Sequence, residues 1–346
     1  MAGPDLSDTS ASDIVVELAG VCKSFRQKQP APGLKGIAGN LLRPQYKEIR
    51  ALQDVDLCIR RGEVVAYAGP NGAGKSTTVK LLSGMLAPNS GTVRAFGVDP
   101  VRDRVRYVGR IGVVYGQRTE LWWDQPLSAS FEWKRVVWDV PRDRFERTLA
   151  YVTEVLGLGE YFNTLSRELS LGQRMRADLG MALIHEPEIL FLDEPTIGVD
   201  VLAKRSLIQI IKDINRERNV TVMVTSHDMA ELEQLAGRIV LIDKGRIAFD
   251  GDFNRLRKEF ADRRTLIIET GTARAPELVA AELVQSETGR HEYKFDGAKA
   301  SISDLLDQAA AQATVLDVET HRPPIDDVIA GIYEKWQAER KSGIAL

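Results

Sequence analysis

The chain has 346 residues, 44% hydrophobic, 27% charged and 7% aromatic, a composition that supports a sizeable core in two or three domains at roughly 150 residues each. Lys and Arg number 46 against 49 Asp and Glu, a formal charge of −3, which leaves no overall field to hold nucleic acid. Cys22 and Cys58 are too few for a disulfide framework, which fits a reduced cytosolic chain, and no apolar run approaches the roughly 20 residues that cross a bilayer, so membrane spans would have to come from other chains. The first segment, 1–13, is polar and acidic and is expected to be disordered, without the pattern of a signal peptide. After Val21-Cys-Lys-Ser-Phe25 comes an insertion, about 26–50, whose Arg26, Lys28, Lys35, Arg43, Lys47 and Arg50 oppose a single acid, Glu48. It reads as a basic surface loop, either solvated or turned to an anionic partner. Val64–Ala68 reads as a buried strand and Thr78–Met85 as a helix stopped by the turn-rich 87–91. Further strands are expected at Ile111–Tyr115, Ile189–Asp193 and 220–225. Between Leu121 and Glu186 the spacing turns helical, which predicts an inserted helical subdomain over about 119–186. Residues 238–243 and 246–249, joined by Lys244-Gly245, carry a hairpin signal. Beyond about 262 the texture changes again, with strands expected at 265–269, 291–295 and 315–319, and helices at 275–283, 301–312 and 325–336. The whole predicts an α/β chain, with a mostly parallel sheet and a small C-terminal α+β domain over 262–346.

The strongest chemical signal is Gly69-Pro-Asn-Gly-Ala-Gly-Lys-Ser-Thr77, which fits G-x-x-x-x-G-K-[ST] between a predicted strand and a predicted helix. Its glycines let consecutive N–H groups turn inward around a phosphate, and the following helix adds its positive end. Lys75 would neutralise β- and γ-phosphates and Ser76 would offer a hydroxyl to Mg²⁺. Asp193, at the end of an apolar strand, is suited to hold the metal through water, and Glu194 to orient or deprotonate an attacking water. His227 follows another strand; alone it is more often a satisfied polar group, but beside this cradle a γ-phosphate contact is the stronger reading. Ser170 and Gln173 fit a capping box opening a helix to about His185. Gly172 in its first turn exposes backbone N–H groups that also suit an anion, so the chain holds two phosphate-binding helix starts about 100 residues apart.

These strings together resemble the nucleotide-binding subunit of ABC transporters, over about 14–252. GPNGAGKST matches the family's Walker A loop, Gln117 its Q-loop, LSLGQ its signature, Ile189 to Glu194 its Walker B strand, Asp200 the aspartate of its D-loop and His227 its switch histidine. The resemblance implies a P-loop ATPase fold and the cofactors ATP and Mg²⁺. ATP would be bound by Phe25 (stacked on adenine), Gly69, Asn71, Gly72, Ala73, Gly74, Lys75, Ser76, Thr77 and Gln117. The metal would be held by Ser76, Gln117 and Asp193, and catalysis served by Glu194, His227 and Lys75. It also implies a head-to-tail homodimer in which Ser170, Gly172, Gln173 and Asp200 complete the partner's site. Leu171 stands where the consensus has glycine, and the D-loop reads IGVD, matching fully only at Asp200. Phe25 could equally be a core residue. The wording TIGVD, LSLGQRMRADL and ELWWDQP is similar to the ATPase subunits of type-2 exporters of drugs and antibiotics. The expected partners are separate membrane permease chains, gripped by the cluster that begins at Trp122 and Trp123, with the ATPase peripheral at the inner face of the cell membrane. A soluble ABC switch protein and a polysaccharide exporter's ATPase are the alternatives.

Overall fold

The computed structural model describes residues 13–28, 46–116, 118–260, 263–297 and 299–341. Residues 1–12, the positions Lys35 and Arg43, and Gln117 lie outside the described residues. The chain divides into two units, Met1–Asp250 and Gly251–Leu346.

Short, almost wholly apolar strands can only be buried on both faces, and in the first unit they form a parallel sheet. In chain order the elements are β1 (Ile14–Lys28), β2 (Tyr46–Arg60), β3 (Val64–Ala68), α1 (Lys75–Leu82), β4 (Ser90–Ala95), α2 (Arg104–Val108), β5 (Ile111–Tyr115), α3 (Leu127–Val137), α4 (Arg142–Val155), α5 (Leu171–Leu183), β6 (Ile189–Asp193), α6 (Val201–Arg218), β7 (Thr221–Thr225), α7 (Met229–Leu235), β8 (Arg238–Asp243) and β9 (Arg246–Gly251). Among the described residues, a six-stranded sheet runs in the order β5-β6-β7-β3-β8-β9, with β5, β6, β7, β3 and β8 parallel. The two-residue turn Lys244-Gly245 has positive φ at both positions, 48° and 80°, the geometry that lets a tight turn follow strand twist. A three-stranded antiparallel sheet, β2-β1-β4, packs into the same core through Val16, Leu18, Val55 and Ile59.

Three sequence-based expectations need correction. The basic insertion is not a loop at its ends: Arg26 and Lys28 extend β1 and lie opposite Glu48 and Tyr46 of β2. Cross-strand hydrogen bonds there are available to any residue, so charge alone could not mark the strand boundary. The cradle helix starts at Lys75, not Thr78, because Gly74 at φ 119° closes the loop immediately before it. The helix expected at 275–283 is absent: the chain is irregular through Ala280 (φ 67°) and then forms a strand, Ala281–Glu287. Pro276 removes a backbone donor, and its carbonyl accepts a 2.6 Å bond from Tyr293 Oη, which anchors an extended path.

The second unit continues with α8 (Phe253–Phe260), β10 (Arg263–Thr270), β11 (Ala281–Glu287), β12 (Arg290–Asp296), α9 (Ile302–Ala310), β13 (Val315–His321) and α10 (Ile325–Lys341). Its antiparallel sheet, ordered β11-β12-β10-β13, buries Leu266, Ile268, Tyr293 and Phe295 against Leu305 and Ala309 of α9. Among the described residues no helix is long and apolar enough to cross a membrane.

The helical subdomain, α3 to α5, is pinned to the sheet by His185. Its Nε2 lies 2.7 Å from the Ile111 carbonyl and so carries the proton it donates, while Trp138 stacks on the ring at 4.5 Å. Burial pushes this imidazole from 6.5 down to about 4. The unfolded chain therefore takes up a proton in that interval which the folded chain refuses, and stability is lost as pH falls. The stability advantage of wild type over His185→Gln should shrink as pH drops from about 6.5 to about 4.5, by at most about 1.4 kcal/mol per unit. Urea unfolding of both chains across that range measures it, and a gap independent of pH contradicts the assignment.

Candidate functional site

The parallel strands end side by side, and the loop that starts at Gly69 gathers at those ends with Lys75, Ser76, Asp193, Glu194 and His227. β3 runs into the loop Gly69–Gly74 and then α1. A Cβ at Gly69 would sit 2.3 Å from the Ile242 carbonyl oxygen, and one at Gly74 2.7 Å from that of Ala51, so no other residue fits either place without moving backbone. The hairpin turn braces the loop from behind, with Gly245 N donating to Ala73 O at 2.8 Å. Ala73, Gly74 and Lys75 are buried, whereas Pro70, Asn71, Gly72 and Ser76 face solvent and Thr77 is half-buried. No side chain caps α1, and its first turn holds no acid; its positive end stays open to an anion.

The Lys75 ammonium turns back onto the loop, donating to Gly69 O at 2.7 Å and Pro70 O at 3.3 Å. Burial draws its pKa below the usual lysine value, against the attraction of Glu194 and Asp193. Across the loop, Ser76 Oγ lies 3.4 Å from Asp193 Oδ1. Two hard oxygen donors so placed fit Mg²⁺, which binds through one or two protein oxygens plus water and substrate phosphate. Among the described residues no group of three or more His, Cys, Asp or Glu gathers to form an all-protein metal cage. Glu194 has φ 55°, a left-handed conformation that turns the chain sharply at the strand end. Its carboxylate lies 3.9 Å from Nδ1 of the exposed His227.

Thr225 carries a role that motif reading missed. Its hydroxyl donates to Asp193 Oδ1 at 2.7 Å and accepts from Glu194 N at 3.1 Å, knotting β7 to both carboxylate-bearing residues. A hydroxyl residue closing the strand just before His227 was the available signal. Gly116 was missed as well: its N–H donates to Asp193 O at 2.8 Å, and a Cβ there would lie 1.9 Å from Glu194 O.

The other named residues form a second cluster. Ser170 caps α5 in a full capping box: Gln173 N donates to its hydroxyl at 3.2 Å, and Ser170 N to Gln173 Oε1 at 2.9 Å. Asp200 caps α6 by accepting from Leu202 N and Ala203 N at 3.1 and 3.0 Å. The two helix starts are packed together, since a Cβ at Gly172 would sit 3.0 Å from that of Ala203. Leu171, the departure from consensus, closes over Gly198, where a Cβ would lie 2.9 Å from Leu171 Cδ2. Among the described residues no hydrogen bond or ion pair joins this cluster to Lys75, Ser76, Asp193, Glu194 or His227. Phe25 is 38% exposed, with Lys23 Nζ 5.5 Å from its ring centre. It is therefore not a core residue.

Comparison with known proteins gives the family and the fold. The sequence profile of the ABC transporter family matches residues 52–197. The ABC transporter ATP-binding protein NatA of Bacillus subtilis is 30% identical over 210 residues, 61% of this chain and 85% of that protein. The ABC transporter A family member 1 of Dictyostelium discoideum is 31% identical over 267 residues, 76% of this chain, which spans only 30% of that longer protein. The structure of cbiO1 from Clostridium perfringens, part of the ABC transporter complex cbiONQ, superposes with a TM-score of 0.59 at 21% identity, over 71% of this chain and 92% of its own; at that identity the likeness is one of fold. With its phosphate cradle, strand-end carboxylates and second helix start in one chain, this protein belongs to the ABC transporter ATP-binding family and is an ABC-type ATPase.

Proposed function

We propose that the chain is the ATPase subunit of an exporter, hydrolysing ATP where two copies meet head to tail and driving separate membrane permease chains. What supports this is that the chain holds two separate groups of side chains, Lys75, Ser76, Asp193 and Glu194 at the strand ends and Ser170 and Gln173 at a second helix start, with no hydrogen bond between them among the described residues. Association of two copies brings the Ser170–Gln173 helix start of one against the cradle of the other, and the positive ends of two helices then face one triphosphate.

Each residue has a task that follows from its place. The Gly69–Gly74 backbone and Thr77 wrap the β-phosphate, and Lys75 exchanges its loop carbonyls for phosphate oxygens. Phe25 offers an exposed ring for adenine. Ser76 and Asp193 would hold Mg²⁺, joined by Gln117 as the family resemblance implies, and the ion would neutralise charge on the phosphates. Glu194 accepts a proton from the attacking water, and His227 fixes the geometry on the γ-phosphate side. In the partner copy, Ser170 and Gly172 present a hydroxyl and backbone N–H groups, while Asp200 keeps its cap and shapes the interface.

The export reading rests on the wording shared with drug and antibiotic exporters, and the permease contact on exposed aromatics. Trp122 and Trp123 are 44% and 49% exposed. Trp122 stands 5.6 Å from the Trp133 ring, and the Arg174 guanidinium lies 4.6 Å above Trp123. Rigid rings with polar rims suit a protein groove. The ATPase thereby sits at the inner face of the cell membrane through its permease, and the C-terminal unit is an accessory domain.

Glu194→Gln should lower kcat by roughly 10²–10⁴-fold and let ATP trap a species of twice the monomer mass in size-exclusion chromatography. A monomer that turns over at full rate, or a variant with unchanged kcat, contradicts the reading. The double substitution Trp122→Ala, Trp123→Ala should abolish copurification of the permease with the ATPase from native membranes; retained copurification removes these residues from the contact.

A further inference from the structure

Gly116 follows β5 at the sheet, Thr119 and Glu120 stand against the helical subdomain, and each of these two places is anchored. On the sheet side Gly116 is bonded to Asp193 O at 2.8 Å, with no room for a side chain. On the other side the anchor is Asp178. Its Oδ1 accepts from Thr119 Oγ1 at 2.9 Å and from Glu120 N at 3.1 Å. Asp178 is only 7% exposed, midway along α5, the helix that starts at Ser170. Eight residues of helix put it about 12 Å from that start.

A carboxylate in such a place is costly unless it is bonded, and an apolar residue would suit the helix interior better. What it provides instead is a grip on Thr119 and Glu120, which lie in neither helix nor strand. The grip is reinforced nearby: Lys134 is ion-paired with Glu120, Trp122 N donates to Ser130 Oγ at 2.9 Å, and Arg174 covers Trp123. The charged groups facing Asp178 are Glu120, which disfavours its ionised form, and Arg174, which favours it. Burial pushes its carboxyl up to about 7, and the bonds from Thr119 and Glu120 pull the other way.

We propose that Asp178 is a positioning residue of the ATPase: it locks Thr119 and Glu120 to the signature helix, so that a shift at the Gly116–Asp193 strand end is passed to Ser170. Its hydrogen bonds from Thr119 and Glu120 lie within the helical subdomain and not at the strand-end carboxylates. The inference rests on the ATPase reading above and deepens it by naming how the two clusters of one chain move together.

The test uses the full chain. Asp178→Leu removes the acceptor and should lower kcat for ATP by about tenfold or more, as a misplacement of around 1 Å can, with ATP affinity in the Glu194→Gln background held to within about twofold. Asp178→Asn keeps an acceptor oxygen of the same shape and should restore kcat to within about threefold of wild type. Four of the five tryptophans lie in this subdomain, so an ATP-induced change in tryptophan emission is expected in wild type and Asp178→Asn, and not in Asp178→Leu. Thr119→Val, which removes one of the two donors at nearly constant volume, should fall between and decides the matter if Asp178→Leu does not fold. Wild-type turnover in a folded Asp178→Leu or Thr119→Val, a loss that falls on ATP affinity alone, or an Asp178→Asn as impaired as the leucine variant overturns the proposal. A wild-type chain without ATP turnover overturns the function proposed above instead, and that is read before any variant is made.

Discussion

The nucleotide end of this protein depends on the register of its parallel strands. Ile189 pairs with Thr221 and Asp193 with Thr225, Tyr115 lies beside Asp193, and Ala68 beside Leu241. Parallel strands aligned in this way finish on a common edge, and every group that leaves a strand there emerges beside its neighbour. The loop from Gly69, the carboxylates of Asp193 and Glu194, the Thr225 hydroxyl and His227 are thus brought together although they are drawn from distant parts of the chain. A slip of one residue in β6 would turn Asp193 to the opposite face and dissolve the site.

Glycine and positive φ are concentrated where that edge is most crowded. Gly69 and Gly74 let the cradle backbone approach the β8 and β2 backbones, and Gly116 leaves space for the Glu194 carbonyl. Glu194 itself, at φ 55°, carries strain of order 1–3 kcal/mol, held by its N–H bonds to Thr225. Strain of this kind marks a residue whose direction matters more than its comfort, and here it aims a carboxylate toward His227.

The second cluster is built on helix capping. Ser170 and Asp200 both satisfy N–H groups at their own helix starts, and the glycines at 172 and 198 let the two starts pack together. Caps of this strength, about 1 kcal/mol each, hold the two helix starts in place before any association. The Ser170 hydroxyl serves a local bond in the single chain, and the proposed dimer would give it a second use.

Much of this was legible in residue order. The cradle string, the apolar strands ending in Asp193 and Thr225, the Ser170–Gln173 box and the Lys244-Gly245 turn are local patterns, because each is dictated by backbone angles and side-chain reach over a few residues. The sequence by itself thus determined the fold class and the family, and it named most of the residues that gather at the strand ends. Only the tertiary structure decided what depends on partners far along the chain. The strand at 281–287 exists because β12 is there to pair with it; Thr225 and Gly116 matter because of where Asp193 and Glu194 end up. Asp178 reads as a misplaced charge in a helix until the Thr119 hydroxyl and Glu120 N–H are found against it. Long-range pairing has no period in the sequence, and it was the folding of distant segments onto one sheet edge that gave these residues their meaning.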